Sequence, residues 1–126
     1  MGITIVSVVE VRRHISKRIR LACSLQMSGG QTFYGSTRTL AIEGAFMEST
    51  SFSAAGGKMP EIGQVGLLTL RYKCGMNEAR ILTKCQILNL LGTGVGISIR
   101  YSELSRADQR TMGRIVASGR ANLDDE

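Results

Sequence analysis

The chain has 126 residues, 43% of them hydrophobic and 21% charged, and a net charge of +6. That length and balance fit one folded domain with a modest core, and exclude a disordered chain. Three widely spaced cysteines without a CxxC pair, and one histidine without neighbouring ligands, argue against zinc and for reduced, buried thiols.

Met1 to Val11 is apolar but too short to cross a bilayer, and it lacks the flanks of a secretion signal. It reads as a strand or a partner-binding segment, with no membrane span and a cytoplasmic setting expected. A basic run follows. Arg12, Arg13, Lys17, Arg18 and Arg20 fall within nine positions, with His14 among them and only Glu10 opposing. Guanidinium groups fork onto phosphate oxygens and stack on flat rings, so such a run is a candidate anion site.

From here the hydrophobic period is two. Ile19, Leu21, Cys23 and Leu25 alternate with Arg20, Ala22, Ser24 and Gln26, the pattern of a half-buried strand. Ser28-Gly29-Gly30 turns the chain, and Gln31 to Ile42 reads as a second strand. Glu43-Gly44 interrupts it, and Ala45-Phe46-Met47 resumes an extended path. Ser49 to Gly63 is a Ser- and Gly-rich loop that contains Phe52. Val65 to Tyr72, Glu78 to Leu91 and Val95 to Tyr101 read as three more strands, parted by Gly75-Met76-Asn77 and Gly92-Thr93-Gly94.

Only the end carries a helical pattern. Ser105 and Asp108 have N-terminal capping spacing, Met112, Ile115 and Val116 form an apolar stripe, and Gly119 is a stop. Residues 120–126 read as a frayed acidic tail. The fold class is therefore mainly β: about six antiparallel strands closing into a small barrel or sandwich, with one C-terminal helix packed on it.

This order of features resembles the PilZ domain family, a six-stranded antiparallel β-barrel with a C-terminal helix, many members of which bind cyclic di-GMP. The resemblance runs from about Val11 to Ser118. Arg12 to Leu21 resembles the family's arginine-rich segment, whose core is RxxxR. Thr39-Leu40-Ala41-Ile42-Glu43-Gly44 occupies the place of the second motif, (D/N)xSxxG. Gly94 to Ile99 with Leu104 to Asp108 resembles the closing strand and helix start. The motifs themselves depart from the pattern. Arg13 and Lys17 have the RxxxR spacing with a lysine substituted, Arg13 and Arg18 are one residue too far apart, and Thr39 and Ala41 replace the acid and the serine. Gly44 alone is kept.

The chain then divides into 1–11 as an N-terminal strand or partner segment, 12–119 as the PilZ-like barrel with its C-terminal helix, and 120–126 as the acidic tail. The resemblance implies a regulatory domain that binds cyclic di-GMP through Arg12, Arg13, Lys17, Arg18, Thr39, Ala41 and Gly44, and that signals through rearrangement of its basic segment. The alternative is a degenerate module that has lost the nucleotide and works through protein contacts, at the N-terminal segment or the loop around Phe52. An enzyme is not expected, since no Ser-His-Asp or Cys-His set is evident; nor is a metal or other cofactor. DNA is not an expected partner, because the charge is local and aromatics make up 5% of the chain.

Overall fold

In the computed structural model, the described residues are 16–49, 60–90, 96–120 and 122–123. Met1 to Val11, Arg12, Arg13, His14 and Phe52 lie outside them, and with them the readings placed on those positions.

Among the described residues, seven strands and one helix follow in chain order: β1 (Ala22–Met27), β2 (Thr32–Leu40), β3 (Gly44–Glu48), β4 (Val65–Cys74), β5 (Asn77–Leu90), β6 (Gly96–Tyr101), α1 (Arg106–Ser118) and β7 (Asn122–Leu123). The spatial order is β1-β2-β3-β6-β5-β4, and β4 pairs back onto β1. Every one of these six pairings is antiparallel, so the sheet is a closed six-stranded barrel with a C-terminal helix. Closure leaves none of the six with an open edge over its paired length.

The alternation read from the sequence sets which side chains fill the barrel. Leu25, Phe33, Met47, Leu68, Leu70, Ile81, Ile87 and Ile97 are fully buried, and their strand neighbours face outward. Met112, Ile115 and Val116 of α1 join the same apolar cluster. The helix begins where Ser105 Oγ accepts from the Asp108 N–H at 3.1 Å. It ends where Gly119, at φ 71°, donates its N–H to the Ile115 carbonyl. Gly75, at φ 64°, turns β4 into β5.

Besides a register shift between Ile87 and Asn89 of β5, two local features differ from the simple pattern. First, β1 is reached by an irregular stretch: residues 18–21 carry no strand pairing, yet Ile19 and Leu21 are buried. Thr37 supplies the missing bonds from inside the core. Its Oγ1 accepts from the Leu21 N–H at 2.8 Å and donates to the Ile19 carbonyl at 2.7 Å. The β2–β3 register shifts just beyond it, between Thr37 and Thr39. Second, the tail is not frayed throughout. Beyond Ala22 the end of β4 has no β1 partner, and β7 takes that edge in parallel, with Leu123 buried.

Thr37 is the group to test. Thr37→Val keeps the shape but strips partners from two buried backbone groups, each worth about 1–3 kcal/mol. Urea unfolding should show a loss of about 2–5 kcal/mol for Thr37→Val and a smaller one for Thr37→Ser, which keeps the hydroxyl. Equal midpoints for Thr37→Val and wild type would remove the role assigned to it.

The core thiols make a second test. Burial pushes Cys23 from 9.0 up to about 12, opposed by the positive Arg71. Burial also pushes Cys85 from 9.0 up to about 11, opposed by a hydrogen bond from the Gly66 backbone. The folded chain therefore holds these protons more tightly than the unfolded one. Their contribution is fully present below pH 9 and is lost as pH rises from there through the folded values. Unfolding midpoints should be flat between pH 7 and 8.5 with respect to these groups and fall by pH 10; a midpoint at pH 10 as high as at pH 7.5 would refute it.

Candidate functional site

The last described stretch of the basic run meets the barrel at Lys17. Its N–H donates to the Leu40 carbonyl at 2.9 Å, and the Leu40 N–H returns a bond to the Lys17 carbonyl at 2.8 Å. This one bridge seats the segment beside the turn that joins β2 to β3. The turn closes through the Ala41 N–H, which donates to the Gly44 carbonyl at 2.9 Å. Ser16, Thr39, Ala41 and Gly44 thereby line one groove of about 470 Å³. The segment and the second motif, far apart in sequence, are brought together by backbone pairing.

The groove has two chemical characters. Ala41, Ala45, Phe46, Leu88 and Ile99 give apolar surface, while Ser16, Thr39, Glu43, Ser98 and Arg100 supply polar groups. Thr39 stands directly across from Phe46, in register. Both are half-buried and both face out of the barrel. An aromatic ring on an outer face offers a platform for a flat heterocycle, with hydroxyls beside it to fix orientation. A smaller hollow of about 290 Å³ adjoins it, sharing Glu43 and Arg100 and continuing to Leu104 and Gln109 at the start of α1.

Not every expected residue turns toward this groove. Lys17 sends its ammonium to the Ala117 carbonyl near the C-terminus of α1, at 3.4 Å. A cation there is favoured by the carbonyls left unpaired at a helix end. Arg18 is exposed and is not among the groove's lining residues. Arg12 and Arg13 lie outside the described residues. Gly44 is present for a reason the barrel itself supplies: a Cβ there would sit 2.1 Å from the Ile99 carbonyl, so only glycine lets β3 approach β6.

Arg100 was missed in the sequence. It lies on β6, opposite Gly44 of β3 and Gln86 of β5, exposed, and it lines both hollows. The signal was available. Ile97, Ile99 and Tyr101 alternate along the strand, which puts Ser98 and Arg100 on its other face. Beneath the groove, the Tyr101 hydroxyl donates to the Ala41 carbonyl at 3.3 Å and lies 3.9 Å from Met112 Sδ of α1. Burial, then the neighbouring Cys23, Cys85 and Glu43, push this phenol well up, so it stays a proton donor.

The chain matches no family model and no curated protein. Solved structures do resemble it. The inhibitor of motility MotI/DgrA of Bacillus subtilis superposes with a TM-score of 0.69 at 13% identity, over 82% of this chain and 48% of that one. This chain therefore spans about half of that protein's length. The PilZ domain of YcgR from Escherichia coli, solved with cyclic di-GMP, gives 0.60 at 13% identity, covering 82% of this chain and 86% of that one. The PilZ domain of CeSA from a cellulose-synthesizing bacterium gives 0.57 at 12% identity, covering 82% and 95%. With the closed six-stranded barrel and its C-terminal helix, these superpositions identify the fold of this chain as that of a PilZ domain.

Proposed function

We propose that this is a cyclic di-GMP-binding regulatory domain, a receptor and not an enzyme, that acts in the cytoplasm beside a protein partner. One observation carries the reading: the basic segment is seated by the Lys17–Leu40 bridge so that Ser16 lines the same groove as Thr39, Ala41 and Gly44. One neighbour of the same fold was solved with that nucleotide. In this reading Arg12, Arg13 and Arg18 reach over the groove to the phosphates and guanine edges. Arg100 adds a fork from the barrel side, and Phe46 carries a base. Arginine suits both tasks, because its planar donors match phosphate oxygens and the O6 and N7 acceptors of guanine. Lys17 anchors the segment and does not grip the ligand.

The signal leaves by the same junction. Lys17 touches α1 through the Ala117 carbonyl, and Ala41 is joined to Met112 of α1 through Tyr101. Rearrangement of the basic segment upon a bound dianion thus reaches the helix through two contacts.

A second reading has a specific observation in its favour. Thr39 and Ala41 lack the acid and serine of the motif, and the lysine at the spacing of the second arginine is engaged with α1. A module built this way would have given up the nucleotide and would act through protein contacts alone. Calorimetry with cyclic di-GMP decides between them, since the second reading requires no saturable heat.

Two sets of variants test the site. Arg13→Ala and Arg18→Ala should each weaken cyclic di-GMP binding by about 1–3 kcal/mol, the scale of charge-assisted contacts. Unchanged affinity in both would reject the basic segment as the gripping element. The double change Thr39→Asp with Ala41→Ser restores the motif's acceptors on the groove wall. It should raise affinity at least about tenfold. A flat or weaker response would mean that Glu43 already fills that role or that the groove holds another ligand.

A further inference from the structure

On the barrel side away from the groove, β1 and β4 carry a different surface. Ala22 pairs with Ser36 on one side and with Arg71 on the other, and Arg71 pairs with Arg80. Ser36, Ala22, Arg71 and Arg80 thus form one row across four strands, all on outward positions. Toward one end of the strands lie Arg20, two residues before Ala22, Arg38 on β2, and Lys73, which faces Glu78 on β5. Toward the other lies the row Tyr34, Ser24, Thr69, Leu82, in which Tyr34 is 63% and Leu82 50% exposed.

Arg20, Arg38, Arg71, Lys73 and Arg80 face Glu48 and Glu78, and Glu48 is engaged by Arg38 at 3.3 Å. Arg71 and Arg80 form no ion pair among the described residues. Like charges set directly opposite across a strand pair destabilise it. Here they flank a hollow of about 320 Å³ lined by Arg71, Glu78, Ala79 and Arg80. A carboxylate placed between them would remove the repulsion and accept two forks at once.

We propose that this face docks an acidic protein surface, with Arg71 and Arg80 as its anchor. Four of the five cations are arginine, and a tyrosine and a leucine border them. Arginine and tyrosine are enriched in protein interfaces and lysine is depleted. The chain has no tryptophan, the aromatic that most often anchors a surface at a bilayer interface. Among the described residues Tyr34 is the one exposed aromatic beside the patch, too few for stacking along a nucleic acid. The inference goes beyond nucleotide binding and shares no residue with the groove.

The test uses the full chain and a short poly-L-glutamate peptide at moderate salt, followed by fluorescence anisotropy of the labelled peptide. Saturable binding is expected, weakened at least about tenfold by R71A/R80A. R106A/R110A removes the same charge from exposed positions of α1 and should change binding by less than about threefold. Equal losses in both doubles would reduce the effect to net charge and overturn the proposal. So would the absence of saturable binding, or a greater loss in R12A/R13A, which would place the peptide on the basic segment. Phosphatidylserine vesicles or duplex DNA held through Arg71 and Arg80, with the peptide left unbound, would overturn it as well. Relief of repulsion should leave the melting temperature of R71A/R80A at or above wild type. If that variant does not fold, R71K/R80K keeps charge and bulk but loses the forks. It should still bind at least about threefold more weakly, and unchanged binding would overturn the assignment.

Discussion

The pairing of β4 back onto β1 is the constraint on which the rest depends. It runs over six residue pairs, from Ala22 with Arg71 to Met27 with Gly66. Once that seam is closed, every strand has one face inside and one outside, and a shift of one residue anywhere would exchange them. The buried row of Leu, Ile, Phe and Met holds the register, because slipping would send those side chains into water and bring arginines into the core. The outer faces then inherit their chemistry. Phe46, Ser98 and Arg100 come together on β3 and β6, while Arg71 and Arg80 come together on β4 and β5. Neither grouping is local in sequence; both follow from closure.

Closure also explains why a small barrel needs so few special residues. Its edges are consumed by one another, and the short stretch of β4 that β1 leaves uncovered is taken by β7. A register shift falls in β5 between Ile87 and Asn89; two other lapses in backbone pairing are the approach to β1 and the bulge in β2. These two lie next to each other, and the buried Thr37 hydroxyl satisfies the first of them. That repair positions the groove, since the bulge lies between Thr37, which faces inward, and Thr39, which faces out. Thr39 stands on the groove side of the barrel, two positions after a core residue that satisfies the gap before β1.

Much of this was legible in the chain. Alternation over Ile19 to Gln26, Val65 to Tyr72 and Val95 to Tyr101 carries the strands, and Ser105, Asp108 and Gly119 mark the helix at both ends. These signals are local, and they survive because hydrophobic burial and capping act on neighbouring residues. What was not legible is long-range. Nothing in the stretch around Arg100 says that β6 lies beside β3, so its arrival opposite Gly44 had to come from topology. Lys17 was assigned to the ligand by its charge and spacing. The structure places its ammonium on a helix carbonyl one hundred residues away in sequence, a contact that no spacing rule could name. The acidic composition of residues 120–126 likewise concealed Leu123, one apolar residue with an unoccupied strand edge to cover.

Gly44 has a consequence for how the barrel tolerates substitution. A side chain there would meet the Ile99 carbonyl whether or not a ligand is bound, so folding alone requires the glycine. Thr39 and Ala41 carry no such obligation, since both line the groove wall. The three positions are therefore constrained by different physics: a change at Gly44 is felt first as lost pairing between β3 and β6, and a change at Thr39 or Ala41 as an altered groove surface.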